Sequence, residues 1–253
     1  MLLEELSATQ ADIRFKLFGF PIRVHPLFWL VMMLLGIGSV KAVDSLGVVA
    51  QLVMWTVAAF ISVLIHEFGH ALVMCLYGFQ PSITLYGFGG YASYDRAPGS
   101  AVRMPGSVGQ IVISAAGPGS QLLLVVVVAV GLYFAGHAVA VARWGPLCFA
   151  LPAEREIVFN DGITIFIRDL MLVSAFWAYF NLLPVYPLDG GRIARGLFVL
   201  ADSRQGVRQS LLLSVLVGIG LAILGLVIGD RMLMYFFLFL TYANAQALQS
   251  HSY

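Results

Sequence analysis

The chain has 253 residues, of which 60% are hydrophobic and 11% charged, with a mean hydropathy of +0.91. A soluble globular protein carries about 25% charged residues, so this sequence lacks the polar material to cover a water-facing surface. The net charge of +1 comes without a basic run, which excludes nucleic-acid partners, and two cysteines exclude a disulfide scaffold.

Stretches lacking Asp, Glu, Lys and Arg cover 24–40, 45–66, 68–94, 104–142, 170–188, 209–229 and 232–253. A bilayer core takes about 20 apolar residues per helix, and the expected fold is therefore an all-α polytopic membrane protein of about six transmembrane helices. Residues 1–26 mix Phe15, Leu17, Phe18 and Phe20 with Arg14, Lys16 and Arg23, as an interfacial arm does. They carry Glu4, Glu5 and Asp12, unlike the short basic start of a cleaved signal. The first span is placed at 27–42 and the second at 48–77, where Gly78 and Pro81 stop the helix. Residues 83–94, aromatic and β-branched around a Gly-rich centre, predict a small membrane-associated β-hairpin.

The third span lies within 107–135, interrupted by Gly117-Pro118-Gly119; two short spans in this long run would invert everything after it. The fourth covers 165–183, the fifth 209–228 and the sixth 231–248. One membrane-embedded domain is expected over 1–253, with its core at 48–191 and two C-terminal helices at 209–248. Six spans put nine Lys and Arg on the side of the termini and five on the other, which favours cytoplasmic termini. Cys75 and Cys148 read as small buried hydrophobes.

His66-Glu67-Phe68-Gly69-His70 is an H-E-x-x-H sequence. Residues four apart share one helix face, so both imidazoles reach one metal ion and Glu67 is placed to take a proton from water beside it. Three ionisable groups within five residues of a membrane span are costly and mark function. The bland alternative is a polar cluster that merely joins helices. Catalytic zinc usually has three protein ligands, and His25, His137, Asp95 and Asp189 are the candidates for the third. In the six-span arrangement the fourth span descends to the side of His66 and His70 and ends at Asn181-Leu182-Leu183-Pro184-Val185-Tyr186-Pro187-Leu188-Asp189-Gly190-Gly191. The prolines break that helix and the glycine pair lets the backbone turn closely, which favours Asp189. His25 and His137 suit the interface, and Asp95 suits solvent.

These paired segments resemble those of the site-2 protease family of intramembrane zinc metalloproteases. The resemblance extends to Gly19-Phe20-Pro21-Ile22-Arg23-Val24-His25, to Gly87-Phe88-Gly89-Gly90 and to Ala116-Gly117-Pro118. It implies one Zn2+ per chain, held by His66, His70 and Asp189, with Glu67 as general base. It further implies that Asn181 contacts substrate or stabilises the oxyanion, and that peptide bonds in membrane-embedded segments are hydrolysed. Where many members carry Asn three residues past the third-span proline, this chain has Gln121. Gly87, Phe88, Gly89 and Gly90 are candidates for docking an unwound substrate segment as an added strand; packing alone explains the hairpin equally well.

The expected partners are a transmembrane protein substrate and the lipid bilayer, with room for a regulatory membrane partner, and the expected location is a prokaryotic plasma membrane. A zinc-binding pseudoprotease that holds substrate helices without cutting is the alternative, although it would normally lose Glu67. A metal carrier needs ligands spaced along a path, and one cluster is present. Ser114 or Ser120 with His137 makes a weak serine-protease site, because a serine in a span usually bonds its own helix backbone.

Overall fold

The structure is a computed structural model that describes residues 9–38, 47–87, 89–95, 105–144, 147–153, 158 and 160–250. The elements in chain order are β1 (Ile13–Leu17), β2 (Phe20–Val24), α1 (Pro26–Ile37), α2 (Val48–Leu76), β3 (Gln80–Tyr86), β4 (Gly89–Asp95) and α3 (Ser107–Phe134). They continue with β5 (Val139–Trp144), β6 (Leu147–Pro152), α4 (Asp161–Asn181), α5 (Asp189–Ala201), α6 (Gly206–Ile228) and α7 (Arg231–Ser250). Packing divides the chain into two units, one of residues 1–102 and 119–178, the other of 103–118 and 179–253.

In the first unit the expected hairpin forms, with β3 and β4 antiparallel and Tyr86 opposite Gly89. The N-terminal arm, expected to lie at the interface, also folds into strands. β1 pairs antiparallel with β2, and β2 pairs in parallel with β3, which makes one sheet of order β1-β2-β3-β4. The parallel pair requires a crossover, supplied by α1 and α2. Ile22 opposite Ile83 and Val24 opposite Leu85 give the sheet an apolar face. That face packs against Phe28 and Met32 of α1 and Val63 of α2, all buried. On the arm, Asp12 accepts from Arg23 at 2.7 Å and from the Thr9 hydroxyl at 2.7 Å. The Thr9 hydroxyl and backbone N–H, with Arg23, hold the Asp12 carboxyl down to about 2.

Helix α2 ends as its sequence predicts. Gly78 takes a φ of 83° and donates to Cys75 O at 2.9 Å, while Phe79 N–H donates to Met74 O at 3.1 Å. This pair of bonds is a Schellman closure, with buried Phe79 as its apolar contact. Helix α3 runs unbroken through Pro118, contrary to the expected interruption, and makes Ser107–Phe134 of the long run a single helix. Proline removes one backbone bond without ending a helix whose neighbours hold it. The hairpin β5–β6 lies between the third and fourth expected spans.

The second unit holds α5, α6 and α7. Buried Gly218, Ala222 and Gly225 line one face of α6. A Cβ at Gly225 would stand 2.6 Å from Met234 N of α7, so small residues set the close approach of these helices.

Helices α2, α3, α4 and α6 are long and apolar enough to cross a membrane. The first and sixth expected spans differ. Helix α1 is described to Ile37, and at 12 residues it measures about 18 Å against a bilayer core of about 30 Å. The 39–42 end of that expected span lies outside the described residues. Helix α7 has 20 residues, and its second half carries Asn244, Gln246, Gln249 and Ser250. Cys75, expected to be buried, is exposed on α2.

Candidate metal centre

His66, Glu67 and His70 lie in the C-terminal half of α2, a 29-residue helix without another ionisable side chain between Val48 and Leu72. All three are buried, at 3%, 3% and 8% exposure. One helical turn brings the two rings edge to face with centroids 4.7 Å apart. Their Nε2 atoms converge to 3.0 Å. Two imidazoles on one tetrahedral zinc at 2.0–2.1 Å stand about 3.3 Å apart, so the donor pair fits that ion closely.

Three helices of the first unit shape this region. Gln121 of α3, fully buried, faces His66 Nδ1 through Oε1 at 3.0 Å. Ser120 Oγ donates to Ile65 O at 2.9 Å, so it ties α3 to α2 and does not stand as a nucleophile paired with His137. Each described glycine of the hairpin turn abuts a different helix. A Cβ at Gly87 would stand 3.1 Å from Leu27 of α1, and one at Gly89 would stand 3.3 Å from Trp177 of α4. At Gly90 it would stand 2.6 Å from Glu67 Cγ and 2.7 Å from Glu67 Oε1. Phe88 lies outside the described residues. Glu67 is about 13 Å along α2 from Leu76 at 1.5 Å per residue. The chain leaves α2 there, and β4 returns to the level of Glu67.

Asp189 is in the second unit, buried at 6% exposure in the first turn of α5, with Leu188 as N-cap. An anion suits that end of a helix. The glycine pair acts as expected: a Cβ at Gly190 would overlap the Leu182 carbonyl, and one at Gly191 would overlap Tyr186 N. Asn181 ends α4, half-buried.

Tyr186, three residues before Asp189, is held at three points that sequence reading missed. Its N–H donates to Ser214 Oγ of α6 at 3.0 Å, its carbonyl accepts from Asn244 Nδ2 of α7 at 2.6 Å, and its ring lies under the Arg195 guanidinium at 4.0 Å. The signal available was a lone Asn in an apolar stretch. Replacing buried Asn244 with Ala leaves the Tyr186 carbonyl without this donor. An unsatisfied buried acceptor costs about 1–3 kcal/mol, and thermal denaturation in detergent is expected to show the melting temperature falling accordingly.

The remaining ligand candidates have structural places. His25 caps α1, its Nδ1 accepting from Leu27 N–H at 3.1 Å. His137 follows α3, its N–H donating to Leu132 O at 2.9 Å. Asp95 ends β4 opposite Gln80.

The buried H-E-x-x-H segment on an apolar helix has the residue types and spacing of a metallopeptidase metal site. Residues 54–225 match peptidase family M50. A zinc metalloprotease of Methanocaldococcus jannaschii is 28% identical over 85% of this chain and 52% of its own length. A protein of Synechocystis sp. is 27% identical over 85% of this chain and 51% of its own, so the chain spans about half the length of these relatives. The solved site-2 protease of Methanocaldococcus jannaschii shares the fold with a TM-score of 0.54 at 23% identity, covering 94% of this chain and 95% of that one. The chain belongs to peptidase family M50, the site-2 protease family, and is an integral membrane protein.

Proposed function

We propose that this chain is an intramembrane zinc metalloendopeptidase that hydrolyses peptide bonds in or near the transmembrane segments of other membrane proteins. The observation that carries this reading is the buried convergence of His66 and His70 beside Glu67 within an apolar helix long enough to cross a bilayer. Asp189 would be the third ligand, giving two nitrogens and one oxygen, a donor set that suits zinc, with one ion per chain. When bound there, zinc supplies Lewis acidity that polarises the scissile carbonyl and makes water acidic enough to lose a proton near neutral pH.

Glu67 accepts that proton as the water attacks, and returns it to the leaving amine. The Asn181 amide opposes the charge that develops on the carbonyl oxygen. A helical substrate hides its carbonyls in hydrogen bonds and must unwind first. β4 is an edge strand of the sheet, and its outer edge is the place where an unwound segment would add as a further strand. The partners are then a transmembrane substrate and the bilayer, with any regulatory membrane protein acting on substrate entry. The excess of Lys and Arg on one side supports cytoplasmic termini.

The test compares wild type with Glu67→Gln in detergent on a panel of tagged single-span substrates, with and without chelator. Cleavage by wild type alone, abolished by chelator, is expected. Equal cleavage by Glu67→Gln removes the general-base role. Zinc bound in stoichiometric amount without cleavage of any substrate makes the chain a pseudoprotease.

A further inference from the structure

Gln121, Ser62 and Ser174 are all fully buried, on α3, α2 and α4. Gln121 Nε2 donates to the Ser62 carbonyl at 3.2 Å and to Ser62 Oγ at 2.9 Å, and Ser174 Oγ donates to Ser62 Oγ at 3.0 Å. A backbone carbonyl only accepts, so the amide nitrogen of Gln121 must face it. The amide oxygen is thereby turned to His66 Nδ1, 3.0 Å away. That oxygen also only accepts, so Nδ1 must carry the hydrogen. A neutral imidazole protonated at Nδ1 has its lone pair on Nε2, the atom that converges on His70.

We propose that Gln121 is a positioning residue, oriented by Ser62, that fixes the Nδ1–H tautomer of His66 and so presents Nε2 as a metal donor before any metal arrives. The inference rests on the zinc reading for its consequence, although its tautomer statement holds in the metal-free protein. A ligand histidine commonly has its second nitrogen held by such a partner, whose loss costs about 10–100-fold in metal affinity. The unusual element is the chain of command: the direction of the amide, and through it the ring, is dictated by one backbone carbonyl of the ligand's own helix, four residues before His66.

The decisive measurement is nitrogen NMR of the metal-free protein labelled with 15N-histidine, His66 being assigned by comparison with His66→Gln. A pyrrole-type Nδ1 and pyridine-type Nε2 at His66 are expected; the opposite tautomer overturns the proposal. A second experiment titrates zinc and cobalt into wild type, Gln121→Met and Gln121→Glu against a competing chelator. Met nearly matches the glutamine in size but offers only a weak sulfur acceptor, so it is expected to lose about 10–100-fold in affinity and to alter the cobalt absorption spectrum. Glu keeps an acceptor for Nδ1 but loses the donor to the Ser62 carbonyl, so it is expected to recover both only in part. Wild-type affinity and an unchanged spectrum in Gln121→Met overturn the proposal and leave Gln121 as packing. If wild type itself binds neither ion, the metalloprotease reading fails, and the NMR result still decides the tautomer.

Discussion

Gly190→Ala is expected to disrupt the turn that carries Asp189 and to abolish stoichiometric zinc binding. The added methyl would overlap the Leu182 carbonyl and stand 2.5 Å from Leu183 O. Both are backbone groups, which cannot rotate aside as side chains do. Overpacking against movable neighbours already costs about 1–3 kcal/mol, so the loss here belongs at or above the top of that range. Thermal denaturation in detergent together with zinc content of the purified protein measures it. Gly131→Ala is the control, because nothing lies within 4 Å of its added methyl, and it should leave the zinc content unchanged and the melting temperature no lower. A Gly190→Ala protein with the melting temperature and zinc content of wild type would show that the turn has slack.

The second large effect separates proton transfer from metal binding. In Gly90→Ala the methyl would press on Glu67 Cγ and Oε1 and on Leu85 Cδ2, each within 2.7 Å. Glu67 is 3% exposed and has little room to yield. A displacement of about 1 Å at a catalytic group costs on the order of 100-fold in rate. The expected result is a fall of that size in kcat with zinc affinity retained. A hairpin glycine acting only as a docking point for substrate would instead change KM. Full activity in Gly90→Ala would remove Gly90 from any account of Glu67.

The part of the site that could be read from the sequence is the part encoded locally. One turn of helix suffices to align His66 with His70, and the Gly78 stop, the hairpin turn and the tight Gly190-Gly191 turn each depend on neighbours in the chain. What escaped was set by distant partners. Strands β1 and β2 looked like an interfacial arm because the pairing of Ile22 with Ile83 forms only after α1 and α2 have crossed between them. Helix α5 was hidden by its opening Gly190 and Gly191, which disfavour a helix but are required by the turn beneath them. Counting uncharged runs gives six spans, while four of the described helices are long and apolar enough to cross a membrane, since an uncharged residue need not be apolar: 232–253 has no charge, yet Asn244 and Gln246 sit in it. Cys75 misled in the opposite direction, because in an apolar helix a small hydrophobe has no need to face the protein.

The three-point hold on Tyr186 alters which part of the chain can be considered self-sufficient. Both sequence motifs end by Gly191, yet two of the residues that fix the Asp189 turn, Ser214 and Asn244, arrive later, on α6 and α7. A chain cut after α5 would keep every proposed ligand and the proposed base while losing the scaffold that holds Tyr186. During synthesis Asp189, the third proposed ligand, would therefore wait, already made but not yet held, until α7 had docked. On the zinc reading, metal loading would follow the docking of α7, and a product truncated after α5 would retain the signature of a peptidase without the contacts that hold Tyr186.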